Sequence, residues 1–457
     1  MLNLNQVVNI LCYVRPWNVD QFRSLAKNIF SEASVECCSE HEAVDGVGLR
    51  ATYYINLEGK SEMALKGVDM TSDDIRDMIA RCRLLRKLPV AVAKKHLFAM
   101  AIAVKSILEE RKPQIVLSTT VDSYIIDLLR YFSERMDIKF IALVPTFVNG
   151  YFRVTSRGEM SLNPQYDLSV ISDLRHKLLD PLYSPAFNAK ALSNPKAGVL
   201  KRWAANIARV PYFFAKRYIT GDRYNYHYWA SQLVAMEQFN AFLPSEPGNP
   251  SWEVELEKDS RPAIYIPLQM FPECTVDYWS EEVSVVDYYG VLERLIEKHH
   301  VAFNIFIKEH PSVMGARPAG FYKKIQNDAR VTIIPTYTPS NLVLDRMQGV
   351  VVWTGTVGFE SALRGKAVFT LCEPYYVCGK RFLKITENTD SKTMLSHVDA
   401  MGSIEVAIEE QEELLARLVQ QLFQGVFKNN GTWSLDNMKD LEDAQTMAIS
   451  LRPLLSS

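Results

Sequence analysis

The chain has little of what would announce a metal centre, a membrane span or a nucleic-acid partner. Its seven cysteines, Cys12, Cys37, Cys38, Cys82, Cys274, Cys372 and Cys378, form no Cys-x-x-Cys pair, so the usual zinc spacing is missing and no metal site is expected. An odd number of thiols reads as a reducing compartment. No stretch approaches the ~18 uninterrupted apolar residues of a spanning helix. The first residues lack a basic start, an apolar run and a small-residue cleavage site, so no secretory signal is expected. Charge of one sign is not in excess either, because 51 Lys and Arg stand against 53 Asp and Glu. Such a balance gives no global field for nucleic acid, and any anionic ligand must be met by a local patch. The expected location is cytoplasmic, at large or at the inner face of the cytoplasmic membrane.

At 457 residues the chain is too long for one ordinary core, and two domains are expected. Apolar runs at Gln6–Val14, Ala51–Leu57, Ile115–Ser118 and Lys139–Pro145 read as strands, separated by helical spacing over Val19–Phe30, Leu97–Arg111 and Ser123–Met136. The alternation fails between about Ser161 and Trp252, where aromatic and basic residues at helical spacing predominate. It resumes with strands at Ala263–Leu268, Ala302–Ile307, Val331–Ile334, Val350–Val352 and Ala367–Leu371, each followed by a helical segment; Met401–Phe423 reads as one long helix and the tail from Leu435 as another. Strands alternating with helices at these lengths argue for parallel βαβ units. The expected class is α/β, with two Rossmann-like domains facing each other across a cleft and a helical insertion. The boundaries are an N-terminal domain over 1–160, the insertion or interdomain region over 161–252, a C-terminal domain over 253–415 and C-terminal helices over 416–457.

Two strand ends in the second half carry chemistry. Lys308-Glu309-His310-Pro311 follows the run ending at Ile307, and the proline pushes His310 out of the α region, so its backbone is fixed. With Lys308 upstream, an imidazole there can bind or protonate a leaving phosphate; a loop histidine bonded to backbone is the bland alternative. Thr354-Gly355-Thr356-Val357-Gly358 follows the run ending at Val352 and offers hydroxyls and unhindered N–H groups where a helix begins. It lacks the Lys and Ser/Thr that a Walker A loop places after its last glycine, which disfavours an ATPase. Glu360 in the first helical turn either stabilises that turn or accepts hydrogen bonds from sugar hydroxyls.

Leu268-Gln269 with Pro272-Glu273, then Lys308-Glu309-His310-Pro311, then Thr354 to Glu360, and then Gly365-Lys366-Ala367-Val368 resemble, in that order, the capsule polysaccharide biosynthesis glycosyltransferases. These are GT-B enzymes of bacterial surface polysaccharide assembly, a group that includes the Kdo transferases. The resemblance is specific over roughly Arg261 to Tyr376 and faint elsewhere. It implies that the C-terminal domain holds a nucleotide-activated sugar, CMP-Kdo or a related CMP-linked sugar among the candidates, and that the N-terminal domain presents a saccharide or lipid-linked acceptor. On that basis Gln269, Lys308, Glu309, Thr354, Gly355, Thr356, Gly358 and Glu360 contact the donor and His310 is catalytic. The resemblance also implies metal-independent transfer with no cofactor beyond the donor, and the sequence has no Asp-x-Asp in a suitable loop.

An inverting transfer needs a base for the acceptor hydroxyl, and Asp122 after the third strand is the first candidate, with Glu40, Glu42 and Asp45 in reserve. Asp122 reads equally as a helix N-cap. The basic aromatic tract over 196–228 has two readings, helical packing with solvated Lys and Arg, or a peripheral membrane contact that receives the acceptor. The competing functions are a nucleotide-sugar epimerase or polyol-phosphate transferase of the same fold, and a non-catalytic sugar-nucleotide-binding scaffold.

Overall fold

A computed structural model describes residues 8–59, 68–180, 183, 185, 195–402, 405–429 and 431–456. Gln6 and Val7 of the first expected strand lie outside them. The chain forms two compact units. The first comprises residues 1–167, 225–227 and 420–457, and the second residues 168–224 and 228–419. The 161–252 tract contributes mostly to the second unit, and the residues after 419 return to the first.

The first unit holds a six-stranded sheet of β1 (Asn9–Tyr13), β2 (Ser34–Cys38), β3 (Ile115–Thr119), β4 (Lys139–Pro145), β5 (Tyr151–Val154) and β12 (Phe423–Gln424). Its order is β12-β5-β4-β3-β1-β2. The first four strands run parallel, and β5 and β12 are antiparallel additions at one side. Helix Val19–Ile29 shows why sequence spacing sets the packing: Val19, Phe22, Leu25, Ala26 and Ile29 fall on one face and enter the core. That core also receives Met447, Ala448, Leu451 and Leu455 of helix Met438–Ser456.

Two expectations are corrected in these elements. Residues Ala51–Leu57, expected as a strand, lie in helix Leu49–Glu58. Their β-branched and aromatic composition hides a four-residue period, since Leu49, Tyr53 and Leu57 are the buried positions. Met401–Phe423 is not one helix but the end of Ser391–Gly402, then Ile408–Val419, then β12. Helix Ser72–Arg81 is capped by Thr71 in a reciprocal arrangement with Asp74.

The second unit is wholly parallel, with β6 (Ala263–Pro267), β7 (Asn304–Lys308), β8 (Val331–Ile334), β9 (Gly349–Val352), β10 (Ala367–Thr370) and β11 (Phe382–Lys384) in the order β11-β10-β9-β6-β7-β8. Strands β6, β7, β9 and β10 are buried at every residue, as near-continuous apolar runs in a covered parallel sheet should be. Both units are therefore Rossmann-like, in keeping with the expected two-domain α/β class. In the first, β1 stands between β2 and β3; in the second, β6 stands between β7 and β9. These are the switch points of the two sheets, outside whose carboxyl ends open α/β folds bind ligands.

Candidate functional site

The switch point of the second unit gathers most of the residues expected from sequence. Pro267 of β6 stands beside Lys308 of β7, and the backbone N–H of Leu268 donates to the Lys308 carbonyl at 2.9 Å. Gln269 therefore emerges next to Lys308, Glu309 and His310. From the other side, Thr354 follows β9, and its hydroxyl reaches Gln269 Oε1 at 3.4 Å. The backbone N–H of Gln269 donates to the hydroxyl of buried Tyr288 at 2.8 Å.

Lys308 is 4% exposed, and burial pulls its pKa down to about 8 while Glu360 and Glu309 push the other way. Glu360 behaves as its complement. Burial raises its carboxyl to about 7, against the lowering influence of Arg364 and Lys308. Neither side chain makes a hydrogen bond or an ion pair within 4 Å among the described residues. The site thus holds a cation and a carboxylate that sense each other without closing on each other.

His310 is held in a defined tautomer. Its Nδ1 accepts the Ser312 N–H at 3.2 Å, which places the ring proton on Nε2 in the neutral form. Burial, helped by Lys308 and Arg317 and opposed by Glu309, lowers its pKa to about 4. At neutral pH it is a hydrogen-bond donor through Nε2 rather than a charged acid.

Glu309 is committed internally. Arg317 grips its carboxylate through Nε at 2.8 Å and Nη2 at 2.7 Å, Tyr322 donates at 2.8 Å, and the His310 N–H donates at 2.6 Å. Burial raises its pKa, but these partners outweigh burial and hold it below the usual carboxylate range. Arg317 Nη2 also donates to the Gln269 carbonyl at 2.6 Å. One guanidinium therefore ties the loop after β6 to the loop after β7. Glu309, expected to touch the donor, has both carboxylate oxygens engaged by residues of its own unit.

Gly355 and Gly358 serve different ends. A Cβ on Gly355 would stand 2.8 Å from Gln269 Nε2, so its lack of a side chain keeps the two loops close. A Cβ on Gly358 would meet the Tyr376 hydroxyl at 2.7 Å and Val352 Cγ2 at 2.9 Å. Tyr376 in turn donates to the Gly355 carbonyl at 2.5 Å. Gly358 thus admits a buttress beneath the loop. Thr356 stands at the N-cap of helix Val357–Leu363 without a side-chain cap bond, and that helix is only seven residues long.

Asp122 belongs to the first unit, where it meets residues that sequence spacing did not single out. Arg15 after β1 binds it bidentately at 2.7 and 2.9 Å, across the β1/β3 switch point. Burial raises the Asp122 pKa, but the charge and hydrogen bonds of Arg15 bring it below its ordinary value. Glu40 after β2 accepts from Arg15 Nε at 3.1 Å and from the Tyr13 hydroxyl. Trp17, His41 and His227 complete the group, with ring centroids 4.8 to 5.9 Å apart. Of the reserve candidates, Glu40 thus joins this group, while Asp45 accepts the Ser39 and Arg50 N–H groups and Glu42 pairs with Arg50.

Arg317 and Arg15 were the main omissions. Neither lies in a recognisable motif; the only signal was an acidic residue, Glu309 or Asp122, whose carboxylate would need a cation once buried. Among the described residues no helix is long and apolar enough to cross a membrane, and no group of three or more His, Cys, Asp or Glu could hold a metal ion.

Among curated proteins none matches the chain by sequence. Among solved structures, Thermosulfurimonas dismutans KpsC, beta Kdo 2,7 transferase, is similar at 12% identity over 97% of this chain and 99% of that one, with a TM-score of 0.37. The beta Kdo 2,4 transferase of the same KpsC gives 13% identity over 72% and 86%, with a TM-score of 0.31. The Methanocaldococcus jannaschii UDP-GlcNAc 2-epimerase in complex with UDP-GlcNAc and UDP gives 10% over 90% and 99%, with a TM-score of 0.28. At these scores the likenesses decide nothing about activity. The family match is narrower and falls on the site itself: over residues 249–380, which carry Gln269, Lys308, His310, Thr354 and Glu360, the chain is similar to the capsule polysaccharide biosynthesis proteins.

Proposed function

We propose that the chain is a glycosyltransferase of bacterial surface polysaccharide assembly whose second unit binds a nucleotide-activated sugar. The observation that carries this reading is the convergence, at one switch point, of a buried unpaired lysine, a histidine donor fixed by its tautomer, and a carboxyl near neutrality. Lys308 meets the charge of the donor phosphates, and His310 donates its Nε2–H to the oxygen that takes up charge as the glycosidic bond breaks. Thr354, Gln269 and Gly355 supply further hydrogen bonds. Glu360 accepts from a sugar or ribose hydroxyl. Asp122, kept ionised by Arg15, is the acceptor-side carboxylate of the first unit. CMP-Kdo or a related CMP-linked sugar is the donor we favour, and a saccharide or lipid-linked saccharide the acceptor.

The test is transfer by a His310→Ala protein checked for native folding by circular dichroism. Loss of transfer with nucleotide binding retained supports the assignment, whereas full activity sinks it. Conversion of a nucleotide sugar in the absence of any acceptor would replace the transferase by an epimerase. Binding of nucleotide with no turnover under any acceptor would leave a scaffold.

A further inference from the structure

Helix Pro195–Tyr218 is about 36 Å long at the usual rise, and its two faces are used differently. One face is built into the second unit. Arg202 donates to the carbonyls of Pro311 at 3.4 Å and Met314 at 2.5 Å, on the loop that follows His310, and Asn206 reaches the Gly315 carbonyl at 3.5 Å. Phe213 is buried, and Arg217 turns inward to Gln232 Oε1 at 2.5 Å and the Arg223 carbonyl at 2.9 Å.

The opposite face has large apolar side chains in solvent. Leu200, Tyr212, Phe214 and Tyr218 are each about half exposed, and Ile219 just past the helix is 77% exposed. Phe214 and Tyr218 pack against each other in a tilted pair with ring centroids 4.8 Å apart. Cations accompany them. Between Leu200 and Tyr224 there are six Lys and Arg and a single acid, Asp222, in a chain whose overall charge is −2. Lys201, Arg209, Lys216 and Arg223 make no ion pair among the described residues; Lys216 instead lies 5.8 Å from the Tyr212 ring centroid, and Arg223 5.7 Å from that of Tyr218.

Aromatic and aliphatic side chains interleaved with unneutralised cations on one exposed helix face have the composition of an interfacial helix, which sinks its apolar groups into the headgroup boundary while its cations meet anionic lipid. A protein partner of ordinary surface composition would not call for four unpaired cations, Lys201, Arg209, Lys216 and Arg223, against one acid. We infer that this face docks on an anionic phospholipid bilayer. The inference rests on the proposed function only for its purpose, the delivery of lipid-linked acceptor. Through Arg202 the docked helix is bonded directly to the 311–315 loop, so the bilayer contact and the His310 segment share one rigid support.

Vesicle flotation tests this without any transfer reaction. The whole chain should bind vesicles of phosphatidylcholine and phosphatidylglycerol, bind phosphatidylcholine alone at least roughly tenfold more weakly, and lose binding as salt is raised. Tyr212→Ser with Phe214→Ser and Ile219→Ser should weaken binding by roughly tenfold or more, and Lys201→Glu with Lys216→Glu and Arg223→Glu should abolish the anionic preference. Both sets are on the surface, and retained nucleotide binding shows that each protein is folded and that the donor site stands apart from the outcome. Equal binding to both vesicle types, no binding, or wild-type binding by either variant overturns the inference. So does a concentration-dependent dimer that the serine variant disrupts, because the face would then belong to a second copy.

Discussion

Replacing Arg317 by methionine should damage the donor site although Arg317 is not assigned to the ligand. The side chains of Arg317 and Glu309 are 0% and 2% exposed, and their pairing is bidentate. Removing one partner of such a pair leaves the other charge buried and uncompensated, at a cost of about 3–5 kcal/mol. Exposed pairs such as Arg76 with Asp73 contribute about 1 kcal/mol or less by comparison. Against a native stability of about 5–15 kcal/mol, the expected loss is large. Glu309→Gln should likewise destabilise, because it leaves the Arg317 guanidinium buried without its carboxylate. The double variant should then lose clearly less than the sum of the singles, by about 2 kcal/mol or more, since each change removes the other's penalty. Hydrogen exchange of the β6 and β7 amides reads this locally, and nucleotide titration reads the linked displacement of Gln269 and His310. The acid limb gives an independent sign. The Glu309 carboxyl is depressed in the fold, so its contribution is complete above the unfolded value of about 4.3 and disappears as pH falls through the lower folded value; Glu309→Gln should flatten that limb. Additivity of the two single losses within about 0.5 kcal/mol would refute the reasoning.

Three further outcomes follow from the geometry. Nucleotide affinity, measured by calorimetry across pH, should fall as pH rises through about 7, where Glu360 becomes charged, and again through about 8, where Lys308 becomes neutral; Glu360→Gln should erase the first step and Lys308→Met the second, and persistence of both steps in both variants would count against these assignments. Gly358→Ala should destabilise by about 1–3 kcal/mol, because the new methyl strikes Tyr376 and Val352, and an unchanged or raised melting temperature would contradict the buttress. Asp122→Asn should lower stability by about 1–3 kcal/mol by leaving Arg15 with Glu40 alone as a charged partner, and should reduce transfer while sparing nucleotide affinity; an equal fall in both would remove Asp122 from the acceptor side.

The strands that build the donor site were legible because buried parallel strands need uninterrupted apolar runs, and β6, β7, β9 and β10 supply them. Strand β2, Ser-Val-Glu-Cys-Cys, has no such run and was passed over. Ala51–Leu57 misled in the opposite way, since its residues suit a strand while their buried spacing is helical. The roles within the site were harder to read than its location. Lys308 and His310 stood out by type and by the following proline, but nothing adjacent to Glu309 reveals that a guanidinium eight residues on takes both of its oxygens. The same holds for Asp122 and Arg15, which are 107 residues apart and meet only because β1 and β3 are neighbours in the sheet. Motifs mark strand ends; strand order decides which ends meet.

The return of residues 420–456 to the first unit has a consequence in time. Strand β12 covers the outer edge of β5, and helix Met438–Ser456 fills the core beside Val19–Ile29. During synthesis the β5 edge and that apolar face stay open while the whole intervening second unit is being made, so the sheet begun first is closed after the one begun later. A chain released at residue 419 would carry a complete second unit beside a first unit that lacks β12 and helix Met438–Ser456, with an unpaired strand edge available to neighbouring chains.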